Sequence, residues 1–172
     1  MTHAATQNAL PSPVLERRDD IGRLVAATWH GVGAGADSAA AARWLVAIDG
    51  SDCSLRTLAT AVDLVMLGND REIDLVNVQP WLVKEAAETE LPRRGWAATA
   101  QARGFLDAAS IRWRLNVVLG EAAPGITGMA DALASRAIAI GSHGLTATES
   151  LLLGSVAYKV LHLAKLPVLI VR

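Results

Sequence analysis

The sequence is poor in the residues that would commit it to several large classes of protein. It holds one cysteine, Cys53, so no internal disulfide can form, and that usage suits a reducing compartment. Tyrosine and phenylalanine occur once each, and aromatic residues make up only 4% of the chain. Lysine with arginine (16) nearly balances aspartate with glutamate (17), for a formal net charge of −1. Basic runs interleaved with aromatics, the footprint of a nucleic-acid binder, are missing. No stretch reaches the roughly 18 uncharged apolar residues of a membrane span. Arg17, Arg18, Asp19 and Asp20 stand where a secretory leader needs its apolar segment. The expectation is a soluble, cytoplasmic protein that partners neither nucleic acid nor membrane.

What the chain does have is aliphatic material, 52% hydrophobic over 172 residues, enough for the core of one domain. It is unevenly spread. Met1 to Pro13 is polar with two prolines and reads as a flexible tail. Leu15 to Trp29 has loosely periodic apolar positions and reads as a short helix. Gly31 to Ala42 is almost entirely glycine, alanine and serine and reads as a linker. Gly31, Gly33 and Ala36 fit the G-x-G-x-x-A dinucleotide pattern, but no convincing strand precedes them, so the linker reading outweighs it. Residues 1–42 are thus expected to be an extension, partly flexible, whose removal up to residue 40 leaves the remaining domain, 43–172, folded and able to bind its ligand.

From Arg43 onward strand and helix signals alternate. Trp44–Ile48, Ile73–Val78, Ile111–Leu119, Ala137–Ile140 and Pro167–Val171 read as strands. Between them Ser54 can cap a helix carrying Leu55, Leu58, Val62 and Val65, which Gly68-Asn69 would end. Lys84–Glu90 and Arg94–Ala109 look helical with a break near Pro92. Pro124 suits the first turn of a helix carrying Ile126, Met129, Ala130 and Leu133. Val156–Ala164 reads as the last helix. The third strand alternates cleanly, Trp113, Leu115 and Val117 against Arg112, Arg114 and Asn116, which suggests an edge strand with one wet face. Five strands joined by helices predict an α/β fold, a doubly wound five-stranded parallel sheet with helices on both faces, Rossmann-like. The last strand, Val168, Leu169, Ile170 and Val171, is apolar on both faces. An exposed apolar edge invites pairing, most simply with the same strand of a second copy, unless it sits inside the sheet.

Glycine is where the chain becomes specific. Ala137–Ile140 runs into Gly141-Ser142-His143-Gly144, and nine residues later comes Gly154-Ser155 at a helix start. Glycines let the backbone approach an anion, and the unpaired N–H groups of a helix N-terminus point at it. In an open α/β sheet ligands sit beyond the carboxyl ends of strands where the strand order reverses. With strand order 3-2-1-4-5, the turn Asp49-Gly50-Ser51 after the first strand faces that glycine loop across one crevice. Asp49 then offers a carboxylate to ribose or base, and the loop offers N–H groups to phosphate. Ser155 can serve as N-cap as well as phosphate contact, and Trp81, just after the second strand, can flank a base.

Val46-Ala47-Ile48-Asp49-Gly50-Ser51, the G-x2-G-x9-G-[ST] spacing of Gly141, Gly144, Gly154 and Ser155, and the ending Leu166-Pro167-Val168-Leu169-Ile170-Val171 together resemble the universal stress proteins. The resemblance spans Arg43 to Arg172. It implies the ATP-binding branch of that family, with Ala47, Ile48 and Asp49 holding adenine and ribose and Val78 packing on the base. It further implies that Ile140, Gly141, His143, Gly144, Gly154, Ser155 and Val156 surround ribose and phosphates, and that the chain dimerises through its last strand. ATP, or ADP or AMP, is the implied ligand, with any Mg²⁺ held by the phosphates, and a stress-response regulatory module is the implied role. Gly120-Glu121-Ala122-Ala123-Pro124 and Arg136 depart from the family's usual pattern, away from the nucleotide loop.

No G-x4-G-K-[ST] sequence occurs, so no P-loop lysine braces the outer phosphates, and the expected turnover is slow or nil. Two other readings compete. An adenine-nucleotide α-hydrolase-type enzyme would want the paired glycines that Asp49-Gly50-Ser51-Asp52 lacks. A nucleotide-free structural dimer would work through protein contact, its glycine loop filled only by water or an anion.

Overall fold

The computed structural model describes residues 10–31, 43–68, 71–144 and 153–172. Residues 1–9 of the tail, residues 32–42 of the linker with Gly33 and Ala36, and Asn69 of the helix stop lie outside the described residues.

The elements follow the chain as β1 (Leu15–Arg18), β2 (Leu24–His30), β3 (Trp44–Ala47), α1 (Asp52–Leu67), β4 (Glu72–Gln79), α2 (Lys84–Ala98), α3 (Ala100–Ala108), β5 (Arg112–Leu119), α4 (Ala122–Ala132), β6 (Ala137–Gly141), α5 (Ser155–Leu163) and β7 (Val168–Val171). All strands join one sheet in the order β1-β2-β5-β4-β3-β6-β7. Its parallel part, β5-β4-β3-β6-β7, has the order expected for the five core strands. Successive residues of each central strand face opposite layers, which is why these strands read as unbroken apolar runs. Val46, Ile73, Leu75, Leu115 and Val117 pack under α1, α2 and α3. Leu45, Val76, Val118 and Ile138 pack under α4 and α5. Among the described residues no helix is long and apolar enough to cross a membrane.

The sheet has seven strands rather than five, because Leu15–Trp29 is not a helix. It forms β1 and β2, an antiparallel pair that adds to β5. The turn between them is built by Asp19, whose Oδ1 accepts the N–H groups of Ile21 and Arg23 at 3.2 and 2.9 Å. An aspartate that bonds the backbone ahead of it offers a turn in place of a helix. Trp29, 2% exposed, then faces the main core.

β5 is therefore not an edge strand. Its polar residues alternate because they pair across the sheet. Arg114 forks onto Asp74 at 2.9 and 2.8 Å, Arg112 donates to Glu72 at 2.6 Å, and Thr28 donates to the Asn116 carbonyl at 3.1 Å. Arg43 completes the cluster with ion pairs to Glu72 and Asp74.

Two helix boundaries also differ from expectation. The α1 cap is Ser51, whose side chain accepts the Ser54 N–H at 3.2 Å, while Ser54 lies inside the first turn. α2 runs through Pro92, with Leu91, Pro92 and Gly95 buried; packing on both sides offsets the one hydrogen bond a proline removes. The break comes at Thr99, whose hydroxyl donates to the Gly95 carbonyl at 2.8 Å.

Candidate functional site

β3 and β6 are neighbours and their carboxyl ends open side by side. The exit of β3 is held firmly. The Ile48 N–H donates to the Val76 carbonyl at 2.9 Å, and the buried Asn77 amide donates to the Ile48 carbonyl at 2.7 Å. Gly50 follows with φ +88°, a left-handed turn that folds Ser51 back over Asp49. Both the Ser51 N–H and its hydroxyl donate to Asp49 Oδ1, at 2.9 and 2.6 Å. One serine thus fixes the carboxylate and starts α1.

The exit of β6 is fixed from the other side. The Ser142 N–H donates to the Val171 carbonyl of β7 at 2.7 Å, and Cys53 donates to the same oxygen at 3.5 Å. The Ser142 hydroxyl, 1% exposed as a residue, bonds His143 Nδ1 at 2.9 Å and so orients the imidazole. The Gly154 N–H donates to the Ser142 carbonyl at 2.7 Å, drawing the start of α5 against the end of β6. Gly154 occupies the cap position of α5 and Ser155 is its first helical residue. The expected N-cap role of Ser155 therefore falls to Gly154, whose missing side chain leaves the first-turn N–H groups uncapped on the cleft wall.

The two exits meet at Gly144. A Cβ there would stand 2.7 Å from Asp49 Oδ2, so any other residue would force the carboxylate to shift. Between the exits lies a cleft of about 240 Å³. Ala47, Ile48, Asp49, Val78, Ile140, Gly141, His143, Gly144, Gly154, Ser155 and Val156, the residues that the family resemblance implies, line it. So do Ser54, Val76, Ala122, Ile126, Ser142 and Ala157, which sequence reasoning missed. Val76 was findable as the same-face neighbour of Val78 two residues on, and Ser142 as the residue between two motif positions. Ala122 and Ala157 have no side-chain signature to find.

The cleft is apolar at one end, with Val76, Val78 and Ile126, and rich in backbone at the other, with the glycines and the α5 start. Asp49 and His143 are its only ionisable lining side chains among the described residues. No group of three histidine, cysteine or acidic side chains gathers anywhere among those residues, so a metal cage built of protein ligands does not fit. Trp81 does not reach the cleft; it lies under the Arg23 guanidinium, 5.0 Å from ring to cation, and beside Gly120. Trp96 packs between Trp29 and Trp113 in the core, with ring centroids at 5.6 and 6.4 Å.

The description of the universal stress protein family matches residues 42–172 of the chain. The chain belongs to the universal stress protein family. Universal stress protein YxiE of Bacillus subtilis is 30% identical over 146 residues, 76% of this chain and 98% of that protein. Among solved structures, a universal stress protein in complex with cAMP is 26% identical, with TM-score 0.60 over 76% of this chain and 96% of that one. The universal stress protein from Archaeoglobus fulgidus in complex with dAMP is 22% identical, with TM-score 0.59 over 77% of this chain and 98% of that one, a likeness of fold. These matches cover about three quarters of the chain. The family description begins at residue 42, so the β1–β2 hairpin stands outside it.

Proposed function

We propose that the cleft binds an adenine nucleotide, ATP and ADP included, and that this universal stress protein is a cytoplasmic regulatory module with slow or no hydrolysis. The observation that carries the reading is the meeting of Gly144 with Asp49. It puts a fixed carboxylate opposite a run of backbone N–H groups at a helix start, the two chemistries that ribose and phosphate require. Val76, Val78 and Ile126 offer the apolar wall a purine needs. Relatives in complex with cAMP and dAMP add support.

The same geometry argues for holding rather than attacking. His143 has its Nδ1 tied to Ser142, Asp49 is the one carboxylate lining the cleft among the described residues, and no P-loop lysine is present. Any Mg²⁺ is expected to arrive on the phosphates, with water as most of its ligands. Pairing of two chains through β7, whose residues are half-buried at the end of the sheet, is the expected assembly.

The test is to denature the purified protein and identify any released nucleotide, then measure ATP affinity and turnover beside Gly144→Val and Ser155→Ala. Binding that both substitutions weaken, with negligible product, is the expected result. Rapid release of AMP and pyrophosphate would make the protein an enzyme. A protein with no affinity for any adenine nucleotide would leave a structural dimer.

A further inference from the structure

We infer that the cleft ranks adenine nucleotides by phosphate charge, taking a single phosphate in preference to a triphosphate and accepting the triphosphate well only when a divalent cation neutralises it. This rests on the nucleotide reading above and narrows it.

The reason is that no arginine or lysine is among the residues lining the cleft. All sixteen arginines and lysines fall among the described residues, and none lines the cleft. Arg43, Arg112 and Arg114 sit at the amino ends of the strands, the end of the sheet away from the cleft, bound to Glu72 and Asp74. Arg18 pairs with Glu88, Arg93 and Arg94 pair with Glu90, and Arg103 lies 3.4 Å over the Trp96 ring. Arg56 is turned toward the Arg172 carbonyl at 3.3 Å. The sequence between Gly144 and Gly154 adds no cation either; its one ionisable residue is Glu149.

What faces a phosphate is therefore backbone N–H groups and the α5 N-terminus, worth about half an elementary charge. The Asp49 carboxyl group stands across from them in the same cleft. Backbone donors suffice to seat one phosphate, as at other helix starts. A second and third phosphate bring added negative charge that no lining arginine or lysine meets, with His143 the one imidazole present, in a cleft already holding a carboxylate. Magnesium supplies the missing positive charge from solution.

The experiment is calorimetric titration of the full chain, freed of nucleotide, with AMP, ADP and ATP in EDTA, and then with ATP and Mg²⁺. Affinity in EDTA should fall in the order AMP, ADP, ATP, by roughly tenfold or more across the series, and Mg²⁺ should recover most of the loss for ATP. Val156→Lys tests the cause: this 37%-exposed lining residue in the first turn of α5 would place an ammonium at the cleft rim and should narrow the gap between AMP and ATP. Magnesium-free ATP binding as tightly as AMP would overturn the inference while leaving the nucleotide reading intact. So would an unchanged gap in a folded Val156→Lys protein. Failure of every nucleotide in the series would instead remove the nucleotide reading itself.

Discussion

A methyl group at residue 144 would press on the Asp49 carboxylate from 2.7 Å, so the cost of a side chain there falls on a cleft-lining group and not on the core. Gly144→Val is expected to lower nucleotide affinity at least tenfold, about 1.4 kcal/mol, with little change in the thermal midpoint. Titration and melting measured on the same sample check it. Ser51 behaves differently, because its hydroxyl serves two masters: it donates to Asp49 and accepts the Ser54 N–H at the start of α1. Ser51→Ala should cost about 1 kcal/mol of stability through the lost cap and should also weaken ligand binding by loosening the carboxylate. Ser51→Thr should restore most of both, and denaturant unfolding alongside titration reads the pair. At this scale the sequence was highly legible. Asp49, His143 and the glycines announced themselves through spacing, since a backbone cradle needs glycine at fixed intervals. The residues that escaped, Ala122 and Ala157 among them, act only through shape.

At the scale of elements, local signals were sound wherever burial dictated the pattern and misleading wherever pairing did. The five core strands were readable because each carries an apolar run that packs into the core, continuous in β3 and β6 and alternating in β5. β5 misled because its arginines look like a wet face until Glu72 and Asp74 are seen beside them in the neighbouring strand. The hairpin misled because a seven-residue stretch such as Leu24–His30 carries no clear period, and only its partner β5 decides what it becomes. That partner gives the extension a contact with the domain. β2 covers the hydrogen-bonding edge of β5, and Trp29 stacks on Trp96 in the main core. Deleting residues 1–31 should therefore lower the thermal midpoint by several degrees and promote aggregation through the bared β5 edge. Melting curves with light scattering on the truncated and full chains check it.

For the molecule as a whole, the two ends of the sheet have opposite characters, a cleft without lining arginine or lysine at one and a buried ionic cluster at the other. Asp74, 1% exposed, anchors the cluster through Arg114 and Arg43. Asp74→Asn should destabilise the fold by about 3 kcal/mol, because it strands buried guanidinium charge, and chemical denaturation measures it directly. The same cluster makes stability depend on pH. Burial, with Arg114 and Arg43 nearby, holds the His30 imidazole below its ordinary 6.5, against the opposing pull of Asp74. Below that value the unfolded chain takes up the proton more readily than the folded one. This part of the stability is thus complete above pH 6.5 and is lost as the pH falls through and below it. Melting from neutral to mildly acidic pH should show a shallower decline in His30→Gln than in the parent.

The hairpin also settles the arithmetic of assembly. It closes one border of the sheet with β1, a short bulged strand bearing Glu16, Arg17 and Arg18, and leaves β7 as the apolar border. A body with a single adhesive border has a valence of one. If two copies paired there about a two-fold axis, as proposed above, the pairing would consume both borders at once and growth would stop at a pair.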